Sequence, residues 1–389
     1  MWNICLSDID YGDDELQRVT EVLRSKWLTM GEVTREFESR FAEFLGVRHA
    51  ILVNNCTAAL HLAHLALGVG PGDEVISPSL TFVATANAAR YCGAAPVFAD
   101  ITGPGGLNIS PDSIRDRITP RTKAITVVHY GGYPADMNAI MEIGREHQIP
   151  IIEDAAHAPG ATWSGRSCGT IGDVGCFSFF SNKNLVCGEG GAVVTNDDHI
   201  AEAVRLMRSH GMTALTYDRH QGRAQSYDVT CLGYNYRPTE ITAALALAQL
   251  DKLAANNQRR QELTRLYWQQ LDTAPLTLPF RGQEHQSSCH LMPVLLPREL
   301  DRSQVMWGLR EAGIQSSIHY PAVHRFTVFS SDLQPPLPRT EEAADRVLTL
   351  PLHPLLADRD IVAVSTVLLD VIAQVSDRET DYCKSVKMP

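Results

Sequence analysis

Apolar positions change their period repeatedly along this chain, and the changes mark the elements. Leu16, Val19, Val22 and Leu23 recur at helical spacing after a polar entry, and Trp27-Leu28-Thr29-Met30-Gly31 breaks that pattern. His49 to Val53 reads as a short buried strand, and Thr57 to Leu67 as an apolar helix closed by Gly68. Val75-Ile76 and Pro96-Val97-Phe98 are strand-like, with a helix from Ala84 to Tyr91 between them. Ala124 to Val128 predicts a strand, Met137 to His147 a helix, and Ile149 to Ile152 another strand. Strands over Gly175 to Phe180 and Ala192 to Thr195 flank a glycine-rich loop.

Short β-branched runs alternating with helices predict an α/β fold with a mostly parallel sheet covered on both faces. In such sheets ligands sit outside the carboxyl ends of the strands, so residues just after each strand become the candidates. A long helical stretch follows, Glu240 to Leu271, and the domain change is placed within it. The expected division is a large domain over 1–250 and a smaller C-terminal α/β domain over 251–389, with Leu291 to Leu296, Val305 to Ala312 and Asp360 to Ile372 as its elements. The tail from Ser376 is polar and expected to fray.

A length of 389 residues suits two domains, and 44% hydrophobic with 20% charged residues is ordinary for a folded protein. A net charge of −11 argues against a nucleic-acid or acidic-membrane partner, because phosphate backbones need clustered Lys and Arg. A single phosphorylated ligand stays possible, held by a few backbone N–H groups. The nine cysteines are odd in number, scattered and without a CxxC pair. That spacing favours neither a disulfide framework nor a zinc site, and reduced thiols in a cytoplasmic protein are expected. Neither a signal-peptide core at the N-terminus nor a membrane-spanning apolar run is seen, so a soluble protein is expected.

The strand ending at Ile152 runs directly into Glu153-Asp154-Ala155-Ala156-His157. A carboxylate delivered by a buried strand is costly unless it meets a cation, a hydrogen-bond donor or a helix N-terminus. Next, the aromatic strand Gly175 to Phe180 leads through Ser181-Asn182 into Lys183, followed by Gly188-Glu189-Gly190-Gly191. Lys183 is the only lysine between Lys123 and Lys252, so it belongs to no charge run. A desolvated lysine loses basicity and becomes a nucleophile towards aldehydes. Taken alone it could equally be a surface lysine in a loop. His61 and His64 lie on an apolar helix and are expected to pack. Gly68-Val69-Gly70-Pro71-Gly72 resembles a nucleotide fingerprint but falls at a helix end, and is set aside.

Six segments in order carry a resemblance that extends from Trp27 to about Pro354: Asn55 to Leu60, Thr81 to Ala88, Glu153 to His157, Ser178 to Lys183 with Gly188 to Gly191, Gly233 to Arg237, and His319-Tyr320-Pro321. The chain resembles the DegT/StrS sugar aminotransferases, pyridoxal phosphate enzymes of the aspartate-aminotransferase-like fold type I. The resemblance implies that Lys183 carries the cofactor as a Schiff base and moves the proton, while Asp154 pairs with the pyridine nitrogen. It implies that Phe82 stacks on the ring and that His157, where many members have Gln, meets the phenolic oxygen. Cys56, Thr57 and Ala58 would bind the phosphate at a helix N-terminus with help from Ser178, and Asn235 would come from the partner of a homodimer with shared active sites. His319 and Tyr320 would lie over the substrate.

The implied reaction moves an amino group from an amino acid, glutamate by resemblance, to a keto sugar. The acceptor expected first is a nucleotide-linked 4-keto-6-deoxyhexose, with a 3-keto sugar or a cyclitol ketone as alternatives. A sugar dehydratase would replace the lysine by histidine, against Lys183. A non-catalytic binding homologue would show a damaged site, against Asp154, Lys183 and Ser178.

Overall fold

The computed structural model describes residues 2–214, 216–329 and 335–386. Its frame is a seven-stranded sheet of β1 (His49–Val53), β2 (Glu74–Pro78), β3 (Ala95–Ala99), β4 (Thr122–Val128), β5 (Ile151–Asp154), β6 (Val174–Ser178) and β7 (Gly191–Thr195). The spatial order is β1-β7-β6-β5-β4-β2-β3. Strands β2 to β6 pair in parallel, and β7 runs antiparallel to both of its neighbours. Both faces of the central strands are buried, and this is why they read as continuous apolar runs rather than alternations.

Helices cover the two faces as the βαβ pattern requires. On one side α3 (Cys56–Ala66), α4 (Ala84–Tyr91) and α6 (Asp198–Arg208) pack against Ile51, Val75, Ile152 and Val193. On the other, α2 (Glu32–Leu45), α5 (Met137–His147) and α7 (Glu240–Gln270) cover Leu52, Ile76, Ile125 and Phe177. His61 and His64 are both buried on α3, the latter donating from Nδ1 to Leu60 O and accepting at Nε2 from Thr126 Oγ1. They pack, as the sequence predicted.

Three features differ from the sequence reading. Helix α2 was not anticipated, although Phe37, Phe41 and Leu45 bury one of its faces at i, i+4 and i+8. In α1 (Asp13–Ser25) the inward residues are Glu15 and Val22, while Leu16 and Leu23 are exposed. The physical reason is electrostatic: the Glu15 carboxylate receives Lys252 Nζ, Gln249 Nε2 and the Gly12 N–H, which turns the polar residue inward. Finally, the C-terminal helix α9 (Asp358–Val386) continues past Ser376, where a frayed tail was expected, with Val371, Ile372 and Val375 anchoring its middle.

Another core gathers around the antiparallel pair β8 (Met292–Leu295) and β9 (Val347–Leu350), α8 (Arg302–Glu311) and α9. Leu263, Tyr267 and Trp268, from the second half of α7, belong to it, so this helix runs unbroken from one core into the other. Residue 250 falls inside that helix. The N-terminal residues also join the core around β8 and β9: Asn3 and Ile4 donate to Gly313 O, and Ile4 packs on it. Among the described residues no helix is long and apolar enough to cross a membrane.

Candidate active site

A cavity of about 420 Å³ opens at the carboxyl ends of the parallel strands. Its walls come from the turns that each strand delivers. Asn55, Cys56 and Thr57 follow β1, Thr81 and Phe82 follow β2, Asp154 ends β5 with His157 beyond it, and Ser178 ends β6 with Asn182 and Lys183 beyond it. His319 and Tyr320 close it from the C-terminal part of the chain. Residues up to 265 positions apart in sequence therefore face one space (320 − 55).

Lys183 is the cavity's only Lys or Arg among the described residues. Burial lowers its pKa to about 8, although Cys56 and Asp154 nearby pull it up. Its amine is thus half neutral near pH 8 instead of above 10. One consequence is measurable. The rate at which the cofactor-free protein takes up an aldehyde at Lys183 should rise with pH through a midpoint near 8, since only the neutral amine attacks. A midpoint above 10 would contradict this placement.

Asp154 and Glu153 are neighbours on β5 and point to opposite faces of the sheet, as strand pleating demands. Asp154 faces the cavity. Its Oδ2 accepts from Thr85 Oγ1 at 2.8 Å and its Oδ1 from the Ala156 N–H at 3.2 Å. Because Thr85 donates to the carboxylate, its oxygen accepts from Thr81 Oγ1 at 3.0 Å, so a two-hydroxyl chain fixes the acid. Burial raises the Asp154 pKa, and these bonds offset that rise only in part. A cation seated in the cavity would meet the remaining need.

Glu153 is satisfied without any ligand. Fully buried, it accepts the N–H groups of Gly169 (2.7 Å), Ile171 (2.6 Å) and Gly172 (2.6 Å). His129 accepts the Ala135 N–H at Nδ1, so its Nε2–H donates to Glu153 at 2.9 Å. Replacement by Gln puts an NH₂ group against N–H donors. The Glu153→Gln protein should lose about 3–5 kcal/mol of stability, read from its denaturation midpoint, and an unchanged midpoint would refute this role.

One end of the cavity is formed by the N-terminus of α3. Its N-cap is Asn55, whose Oδ1 accepts the Ala58 N–H at 2.8 Å. This corrects one expectation: the Ala58 amide has its partner within the chain, and Ala58 does not line the cavity, whereas Cys56 and Thr57 do. Gly191 permits the arrangement, since a Cβ there would stand 2.6 Å from Cys56 N. Ser178 lines the same end and is buried. Asn235 does not reach its own chain's cavity; it is exposed on the segment leading to α7.

Phe82 lies before α4, not within it, and is 57% exposed at the cavity wall, 6.0 Å from the Tyr320 ring. It is therefore no core residue of an apolar helix. His319 is anchored through Nδ1 to Thr349 Oγ1 at 3.0 Å, and burial with Lys183 nearby lowers its pKa to about 4. His157 lines the cavity and also has partners within the chain. The ring accepts the Gly131 N–H at Nδ1 (3.2 Å), which places the ring proton on Nε2, and that N–H points to Tyr320 Oη at 2.9 Å. Both nitrogens are engaged within the protein, and burial keeps the ring neutral.

Several contributors went unread in the sequence. Thr81 and Thr85 stand four residues apart within the recognised segment, but Thr81 precedes α4, so no helix periodicity pairs them. Asn184 holds the lysine turn: its Nδ2 donates to Asn257 Oδ1 (2.8 Å) and Ser288 O (2.7 Å), and its Oδ1 accepts from His290 Nδ1 (2.9 Å). Those partners lie more than 70 residues away, and no local pattern announces them. Asn182 presents a buried Oδ1 with no hydrogen-bond partner, and Glu189 stands exposed at the mouth.

Known proteins share this frame. The chain is 38% identical over 370 residues to the spore coat polysaccharide biosynthesis protein SpsC of Bacillus subtilis, covering 93% of this chain and 95% of that one. Spr1654 of Streptococcus pneumoniae, described as a sugar aminotransferase and solved in its PLP form, superposes with a TM-score of 0.90 at 28% identity, covering 96% of this chain and 100% of that one. DesI, solved in the presence of its TDP-sugar product, superposes with a TM-score of 0.87 at 32% identity, covering 97% and 95%. The family model for DegT/DnrJ/EryC1/StrS aminotransferases matches residues 10–369. With a single lysine in a cavity shared with an aspartate at the strand ends, this chain belongs to the DegT/DnrJ/EryC1/StrS aminotransferase family and is a sugar aminotransferase.

Proposed function

We propose that the enzyme transfers an amino group from L-glutamate to a nucleotide-linked 4-keto-6-deoxyhexose, acting in the cytoplasm as a homodimer with shared active sites. The observation that carries the reading is the shared cavity of Lys183, with its lowered pKa, and Asp154, a buried acid still in need of a cation. Pyridoxal phosphate fits these residues, and when bound it supplies an electron sink for the substrate carbon.

Each role of the chain follows from position. Asp154 keeps a proton on the ring nitrogen by its charge, steadied by Thr85 and Ala156. The N–H groups of Cys56 and Thr57, with the hydroxyls of Thr57 and Ser178, hold the phosphate at the α3 N-terminus. Phe82 covers a ring face and excludes water from it. Lys183 Nζ, half neutral near pH 8, takes the proton from the substrate carbon and returns it on the other side of the transfer. His319 and the unpartnered Asn182 Oδ1 serve sugar hydroxyls.

Among the described residues the cavity offers a dicarboxylate donor no arginine of its own. A second subunit supplies what is missing: Asn235 for the phosphate, with Arg237 two residues on. The exposed apolar side chains Leu16, Leu23 and Leu232, the last 82% exposed, support burial against a second copy. Mixed assemblies of Lys183→Ala and Asn235→Asp chains should recover activity, because one site in each mixed dimer then has both native residues. No recovery above the parent variants would refute the shared site.

The substrate assignment is tested with a panel of nucleotide-linked keto sugars and glutamate, identifying the aminated carbon in the product. Amination at C4 supports the reading. Amination at C3, or of a cyclitol ketone alone, replaces it with the corresponding alternative.

A further inference from the structure

The contacts of His157 have a chemical direction. Gly131 sits in a turn with φ of +62°, and its buried N–H points at His157 Nδ1, 3.2 Å away. A proton on that nitrogen would set two N–H groups against each other and strip the amide of its acceptor. The neutral ring therefore carries its proton on Nε2, which faces Tyr320 Oη at 2.9 Å. The ring cannot swing to another partner: His290 backs it at 4.5 Å between centroids, and Ser288 Oγ donates to the His157 carbonyl at 2.6 Å.

The Tyr320 oxygen thus accepts from His157, and its own hydrogen is left to donate. Tyr320 is held over the cavity from three sides, by the His157 ring, by Phe82 at 6.0 Å and by Tyr130 at 6.5 Å. The preceding residue is fixed as well, through Thr349 at the His319 ring and the Tyr130 hydroxyl at the His319 carbonyl. Burial also keeps the phenol protonated.

We infer that the Gly131–His157–Tyr320 chain aims the Tyr320 O–H as a directed hydrogen-bond donor at an anionic or carbonyl oxygen in the cavity, with His157 as its positioning residue. This inference rests on the aminotransferase reading of the site and deepens it. The oxygen has two possible sources, the phenolic oxygen of the cofactor and the keto group of the sugar. A carboxamide can reproduce the histidine's pattern, accepting from Gly131 and donating to Tyr320, whereas an aliphatic side chain cannot.

The first test needs no cofactor. ¹⁵N spectra of histidine-labelled, cofactor-free protein, with the His157 signals assigned by their loss in His157→Gln, should show a protonated Nε2 and a bare Nδ1. A proton on Nδ1, or on both nitrogens, overturns the inference even if the enzyme is a working aminotransferase. The second test measures two quantities in His157→Leu, Tyr320→Phe and the double variant: the dissociation constant of pyridoxal 5′-phosphate, and KM and kcat for dTDP-4-keto-6-deoxyglucose. Each single variant should lose roughly tenfold in the same quantity, and the double variant no more than either. His157→Gln should recover most of the loss. Weakened cofactor binding identifies the phenolic oxygen, and an effect on the sugar alone identifies the keto group. Additive losses, or loss in neither quantity, overturn the chain. A wild-type protein that takes up no pyridoxal phosphate refutes the functional reading, while the histidine spectra still decide the proton's position.

Discussion

In the Lys183→Ala enzyme, turnover of amino donor and keto sugar should fall by at least about 10⁴-fold. Two functions vanish together: the covalent hold on the aldehyde and the amine that carries the proton. No other residue can substitute, because Lys183 is the only Lys or Arg among the described residues of the cavity. His319 lies close, but its Nδ1 is anchored to Thr349. The α3 N-terminus and Asp154 stay intact, so the variant should still retain pyridoxal phosphate without a covalent link. Steady-state rates and the absorbance of the dialysed protein check both parts. Appreciable turnover would remove Lys183 from the reaction.

The Asp154→Asn enzyme should lose about 10²–10³-fold in kcat, the scale seen when a preorganised charge contact at a reacting centre is removed. A carboxamide has a single acceptor oxygen: it keeps the Ala156 N–H while its NH₂ donates to Thr85 Oγ1, which then turns its hydrogen to Thr81, and it has no charge with which to hold a proton on the ring nitrogen. Stability should move the other way. Burial raises the pKa of Asp154, so in the cofactor-free protein the ionised acid is disfavoured by its surroundings. Asn relieves that penalty, and the cofactor-free variant should melt at the same or a higher temperature than the parent. A near-normal kcat would exclude Asp154, and a large drop in melting temperature would contradict the account of its burial.

The contrast between Asp154 and Glu153 shows where sequence reading succeeds and fails. The strand end announced that both carboxylates would be delivered to the sheet's edge, and pleating alone sends them to opposite faces. Which of them is proposed to meet the cofactor came from the recognised segment; why the other is there came only from the three N–H groups of the 169–172 turn and from His129. Strands were legible because two-sided burial makes them continuous apolar runs. Helix α1 misled because its inward face includes Glu15, whose partners Gln249 and Lys252 lie more than 230 residues away. At the site, residue types that chemistry demands were readable: the lone lysine, the acid, the helix N-terminus. Positions set by long-range hydrogen bonds were not, and so Asn55 takes the Ala58 amide and Tyr320 takes the His157 ring.

Borohydride reduction of the protein loaded with pyridoxal phosphate, followed by proteolysis and mass spectrometry, tests the central claim most directly. The account predicts one peptide carrying the reduced cofactor, with the modification on Lys183. A reduced cofactor on any other lysine, or none at all, would contradict it.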